Sequence, residues 1–281
     1  MSDDKYPADS GRRRFVKGVV GGAALAGVGA TGSATINSAT ASAGAGGGNT
    51  QAMAIENTDG PAPRGMPQIP IEIDSEGYLR GVYPEVQEVT QGGRTVQTAF
   101  TEDFKGTGMR YSIEWYQYCG VEGYAGIQPS YEGDNYFYVG SSPAYDWQSE
   151  DYEAGDRLHV DDFQDYESWG NGIGQAGLGK PATATWRSQD VSDVVPIQVI
   201  RSPIIERKAQ ENDWLAASTS EGFIAWLNKC THFCCVPGYK QAASSATFGA
   251  ADAVYCQCHQ SVYDPFSIVQ TLFVARPRPD D

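Results

Sequence analysis

The chain has 281 residues, room for one good-sized domain with a tail or for two small domains, and its 35 acidic against 20 basic residues give a net charge of -15. That balance leaves nucleic acid without an electrostatic partner, so nucleic-acid binding is excluded. Arg outnumbers Lys, Asp outnumbers Glu and the acids are spread along the chain, which suggests a halophile's surface, an ordinary acidic exported protein being the plainer alternative.

At the N-terminus, Arg12 and Arg13 are followed by one variable residue, then Phe15, Val16 and Lys17, the order of a twin-arginine export signal. The run from Gly18 to Ile36 carries no charge and is rich in Gly and Ala but poor in Leu, the weak hydrophobicity of such signals. Its length is just what a helix needs to cross a bilayer core of about 30 Å. The basic residues before it put the N-terminus in the cytoplasm and the acidic body outside. Ala39, Ala41 and Ala43 also offer A-x-A cleavage patterns, so processing stays open; residues 1–36 are expected to be retained as signal and membrane anchor. The twin-arginine route moves folded proteins, which suits a cofactor inserted before translocation.

Residues 37–54 are almost all Ala, Gly, Ser and Thr, and Pro61, Pro63, Pro67 and Pro70 follow, so 37–70 reads as a flexible and then proline-rich linker. The body, 71–281, is punctuated by Gly, Asp and Pro between short runs rich in aromatic and β-branched residues, such as Met109–Tyr118 and Asn135–Val139. With no long amphipathic helix and no internal repeat, it is expected to be all-β, an antiparallel sandwich. Residues 75–155 form an acidic, aromatic-rich segment with no recognisable chemistry.

The chemistry lies in two boxes: Cys230-Thr231-His232-Phe233-Cys234-Cys235, and Cys256-Gln257-Cys258-His259-Gln260-Ser261-Val262-Tyr263-Asp264. Each pairs a Cys with a nearby His, and two of the chain's three His sit here. Two thiolates and two imidazoles would suit tetrahedral zinc. The spacing C-x-H with C-x-x-H, each box holding a further Cys, instead resembles the Rieske iron-sulfur family.

That resemblance, covering about 156–279, implies a [2Fe-2S] cluster with Cys230 and Cys256 on one iron and His232 and His259 on the other, a replacement that raises the potential. It implies a disulfide between Cys235 and Cys258, as in respiratory members, for which an exported, oxidising setting is apt. Ser261 and Tyr263 match hydroxyls that donate to a bridging sulfide and a cysteine sulfur, and Phe233 matches an apolar residue that shields the cluster. Gly179–Arg187 and Ile197–Ile205 weakly resemble base-domain strands, with a cluster-binding subdomain at about 214–272 inserted between such strands.

The implied function is electron transfer from membrane quinol, within a complex with a cytochrome b subunit, to a c-type cytochrome or blue-copper protein, on the extracytoplasmic face of the cell membrane. His259, and second to it His232, would take the quinol hydrogen bond and proton. The Rieske subunit of an exported molybdenum oxidoreductase of the arsenite or nitrate type is the alternative. A Rieske oxygenase would need two more His and a carboxylate for a second iron, and only His159, read as a surface or strand residue, is left.

The chain departs from the family at Cys234 and Gln260, where Gly is usual, and at Gln257, where Pro is common. Val236–Tyr255 is longer than in mitochondrial-type members, and the proline segment that closes over the cluster is matched only by Ala275-Arg276-Pro277-Arg278-Pro279. Cys119 and Cys234 are left over, most simply as buried free thiols, otherwise as a second disulfide.

Overall fold

Residues 48–91, 94–117, 133–188 and 194–275 are described by a computed structural model. The twin-arginine signal, the apolar run and the residues after 275 lie outside the described residues. Among the described residues no helix is long and apolar enough to cross a membrane.

The elements in chain order are β1 (Gly48–Asp59), β2 (Met66–Ile69), β3 (Ile71–Ile73), β4 (Leu79–Gly81), β5 (Val86–Gln91), β6 (Arg94–Thr101), β7 (Tyr111–Ser112) and β8 (Phe137–Tyr138). Helix α1 (Asp146–Asp151) precedes β9 (Lys180–Trp186) and β10 (Val195–Arg201). Helices α2 (Pro203–Ala209) and α3 (Asp213–Ser218) then lead to β11 (Phe223–Leu227), β12 (Gly238–Tyr239), β13 (Val254–Cys256) and β14 (Ser261–Ala275). Nine strands form one sheet in the order β12-β13-β14-β1-β2-β11-β10-β9-β8, and β3-β4 and β5-β6-β7 form two small sheets. The named strands pair antiparallel throughout, so the fold is mainly antiparallel β.

Side chains on a strand alternate between two faces, and in β10 and β11 both faces are apolar. Val195, Ile197, Val199, Phe223, Ala225 and Leu227 enter one core, while Ile200, Ile224 and Trp226 enter another. The first core is completed by the aromatic-rich segment. Tyr111 meets Trp115 edge-on at 5.1 Å between ring centroids, and Trp115 meets Trp214 at 5.5 Å. Contacts of that kind add roughly 0.5–1.5 kcal/mol beyond area burial. Phe104, Tyr111, Trp115, Tyr116 and Phe137 of the aromatic-rich segment thus share the first core, on the opposite face of β10 and β11 from the second core, which holds Cys230, Cys256, Tyr239, Tyr263 and Phe266.

Three expectations need correction. The linker ends well before residue 70: 48–59 and 66–69 are strands, with Ala52, Ala54, Ile55, Met66 and Ile69 buried. Small residues that read as flexible are what close packing in a central strand admits. The expected strand over Met109–Tyr118 stops at Ser112, whose hydroxyl accepts from Glu114 N at 3.2 Å and caps a 3-10 turn at Ile113–Tyr116. Of Asn135–Val139 only Phe137–Tyr138 is strand, after Asn135 at φ 67°.

Candidate metal centre

Both boxes lie between β11 and β14. The first follows β11; the second is a tight hairpin in which Cys256, the last residue of β13, pairs with Ser261, the first of β14. The two turns are built alike. Cys234 N donates to Cys230 O at 3.0 Å, and Gln260 N donates to Cys256 O at 2.9 Å. Each turn closes on a left-handed residue, Cys234 at φ 61° and Gln260 at φ 62°. Gly adopts such a backbone freely, whereas a side chain there costs roughly 1–2 kcal/mol. Gln260→Gly is accordingly expected to stabilise the protein by about 0.5–1 kcal/mol net of the entropy glycine adds to the unfolded chain; a denaturant midpoint that falls would contradict the strain.

Cys230 and Cys256 are buried and carry no disulfide. Cys230 Sγ accepts from Cys256, from the Tyr263 hydroxyl at 3.1 Å, from the backbone N–H of His232 and from Ser261. The Cys256 thiol beside it, then Tyr263, the His232 amide and Ser261, hold Cys230 well below the ordinary thiol range against the opposing effect of burial. Cys256 is pushed up, because it supplies the shared proton and would ionise, buried, next to a thiolate. Its sulfur accepts from the backbone N–H groups of Cys258 and His259. Burial raises the Tyr263 hydroxyl, followed by its bond to Cys230, so it stays protonated and remains a donor. Tyr263 Oη also accepts from Thr231 N at 3.3 Å, tying the first box to β14.

The two imidazoles lie edge to face, ring centroids 4.7 Å apart. His259 is exposed, whereas His232 is half-buried and its Nδ1 is buried without a hydrogen-bond partner. An orphaned buried ring nitrogen normally costs about 1–3 kcal/mol, a cost that a ligand bound to it would offset. Phe233 packs against both rings, at 4.4 Å from His232 and 5.3 Å from His259. Phe233 is 66% exposed, so it shields only one side of the rings.

Cys235 and Cys258 are joined in a disulfide that ties the two boxes together. The sulfurs of Cys235, Cys256 and Cys258 lie within 4.8 Å of one another, a spacing that would hold a metal ion. Two of the three are bonded to each other, so the trio is not a ligand set in this state. Cys234 is also in a disulfide, which corrects the expectation of a free thiol there; Cys119 lies outside the described residues. His159 is a structural tie: its ring accepts from Asp161 N at 3.2 Å and contacts Glu76 O at 2.7 Å.

A further loop, before the two boxes in sequence, closes on the site. Residues after Ala275 lie outside the described residues, whereas Gly60-Pro61-Ala62-Pro63-Arg64-Gly65, between β1 and β2, touches both boxes. Ala62 N donates to Ser261 Oγ at 3.2 Å, and Thr231 Oγ1 donates to Arg64 O at 2.6 Å. Gly60, at φ 84°, sits so close that a Cβ would lie 2.6 Å from both Gln260 O and Ser261 Cα. Sequence reasoning took this stretch for linker; its two Pro between two Gly were the available sign of a rigid, close-packed turn. Comparison with protein-family models, curated proteins and solved structures gave no match to this chain.

Proposed function

We propose that this chain is a Rieske-type electron carrier that takes electrons from a quinol on the extracytoplasmic face of a membrane. The observation that carries this reading is the donor set: two unbonded, buried thiols sharing a proton, beside two facing imidazoles of which one has an orphaned, buried Nδ1. Such a set would suit a [2Fe-2S] cluster, which Cys230, Cys256, His232 and His259 would hold, His232 through its unpartnered Nδ1. When bound, that group accepts one electron at a potential raised by its neutral imidazole ligands.

The protein's own residues do the rest. Tyr263, Ser261 and the amides of His232, Cys258 and His259 aim hydrogen bonds at the two sulfurs, which supports negative charge there. The exposed His259 ring offers its outer nitrogen to a quinol hydroxyl, accepting first a hydrogen bond and then the proton. Phe233 and Val236, 66% and 59% exposed, give the tip an apolar rim suited to a quinol pocket on a cytochrome b subunit. Twelve residues of β1 at about 3.3 Å each put the entry of the chain at Gly48 roughly 40 Å along the strand from the site. The tip would pass the electron on to a c-type cytochrome or blue-copper protein. Concentrated salt would be the working medium of its acidic surface.

Affinity isolation of the full chain from solubilised membranes tests this assignment. A haem-b subunit is expected to accompany it, in a preparation that oxidises a short-chain quinol and reduces a c-type cytochrome or blue-copper acceptor. Recovery with a molybdenum-cofactor subunit and no quinol oxidation would contradict it.

A further inference from the structure

We propose that the backbone N–H of Ala62, in the loop 60–65, is a positioning donor that fixes the rotor of the Ser261 hydroxyl and so aims its one proton at the cluster sulfurs. The inference rests on the iron-sulfur reading above and adds to it a role for a segment 199 positions earlier in the chain than the serine it controls.

A serine hydroxyl has one proton and two lone pairs, and its torsion is set by its partners. Ser261 is fully buried, and its Oγ accepts from Ala62 N at 3.2 Å. With that lone pair engaged, the proton has to leave in another direction, where the sulfur of Cys230 is its partner. Pro61 and Pro63 carry no N–H, so Ala62 is the one backbone donor across those three residues.

The loop is held so that this donor cannot drift. Gly60 lets its backbone lie against the Gln260 carbonyl, and at Gly65 a Cβ would meet Ile55 O at 2.1 Å, so the chain turns back hard on β1. Arg64 lays its guanidinium 3.6 Å from the centroid of the Phe273 ring on β14, and its carbonyl accepts from Thr231 Oγ1. One short loop therefore joins both boxes and their supporting strand. A donor aimed at sulfur gains strength as the sulfur becomes more negative, so fixing the hydroxyl favours the reduced state.

Equilibrium redox titration of the full-length protein, followed by electron paramagnetic resonance, tests this with Gly60→Ala, Ala62→Pro and the near-isosteric Thr231→Val, each alone and combined with Ser261→Ala. Gly60→Ala and Ala62→Pro are expected to lower the reduction equilibrium constant about three- to tenfold, the worth of one ordinary hydrogen bond, tenfold being about 59 mV for one electron. Thr231→Val, which releases only the far end of the loop, is expected to give a smaller shift of the same sign. None of the three is expected to shift the potential further once Ser261 is Ala, because the loop acts through that hydroxyl.

Equal shifts with and without Ser261 would show that the loop only excludes water, and unchanged potentials throughout would show that Ala62 positions nothing; either overturns the proposal. If Gly60→Ala or Ala62→Pro does not fold, Thr231→Val and its double variant decide by the same comparison. Iron and acid-labile sulfide in the same samples separate the two levels. Unsubstituted protein without a cluster would remove the underlying reading, whereas intact clusters at unmoved potentials would remove only the role of Ala62.

Discussion

His259→Ala is expected to abolish iron-sulfur incorporation while leaving the polypeptide folded. The ring is exposed and its contacts are the neighbouring rings of His232 and Phe233 at the tip, outside the buried clusters that hold the sheet together. Exposed positions of this kind usually change stability by no more than about 0.5 kcal/mol. A cluster ligand at the same place carries a different consequence, because one iron would be left with a single imidazole and open to water. Far-ultraviolet circular dichroism and the thermal midpoint of the cluster-free protein should match those of unsubstituted cluster-free protein, with iron and acid-labile sulfide falling to under about a tenth. Phe233→Ala, at the adjoining ring, should keep its cluster. An unaltered visible and paramagnetic resonance spectrum in His259→Ala would remove that residue from the ligand set.

Replacing Cys235 and Cys258 together by Ser is expected to cost about 3 kcal/mol, the value for constraining a loop of this size in the unfolded chain; the two are 23 residues apart in sequence. That is a large fraction of the 5–15 kcal/mol typical of a domain, and the site should suffer first. The cross-link ties the two boxes covalently, whereas the links from Tyr263 to Thr231 and Cys230, and from Cys256 and Ser261 to Cys230, are single hydrogen bonds. The bond also has a chemical effect. Reduced, it would release the sulfurs of Cys235 and Cys258 beside Cys256, three thiols within 4.8 Å, a good set for zinc. Mild reduction of the unsubstituted cluster-free protein is therefore expected to raise zinc uptake above that of the oxidised protein, while the double Ser variant, with one sulfur of the trio left, gains nothing on reduction. Denaturant unfolding gives the first quantity and equilibrium dialysis against zinc the second. A loss below about 1 kcal/mol, or equal zinc uptake in both redox states, would contradict this account of the bond.

What was legible in the sequence was legible for chemical reasons. Cys and His at C-x-H and C-x-x-H are few, and their types restrict what they can bind, so Cys230, His232, Cys256 and His259 stood out before any geometry; the structure sets Cys230 against Cys256 and His232 against His259, with Tyr263 and Ser261 at the Cys230 sulfur. The antiparallel β character was readable from short aromatic and β-branched runs between Gly, Asp and Pro. The third loop was hidden because Gly60-Pro61-Ala62-Pro63-Arg64-Gly65 contributes backbone groups, Ala62 N and Arg64 O, which every non-proline residue has. β1 was hidden because Ala52 and Ala54 signal flexibility by composition and close packing only by location. The aromatic segment gave no period because Tyr111, Trp115 and Trp214 meet from a strand, a 3-10 turn and a helix, so that no single repeat could announce the core they build. Cys234 and Gln260 looked like departures from a glycine pattern; both adopt the left-handed φ that glycine takes without strain.

Quantifying iron and acid-labile sulfide in protein purified from its native membrane, alongside the paramagnetic resonance spectrum of the reduced sample, is the most direct test of the proposed centre. Two irons and two sulfides per chain with a rhombic low-field signal are expected. Zinc in their place, or neither iron nor sulfide, would contradict the account.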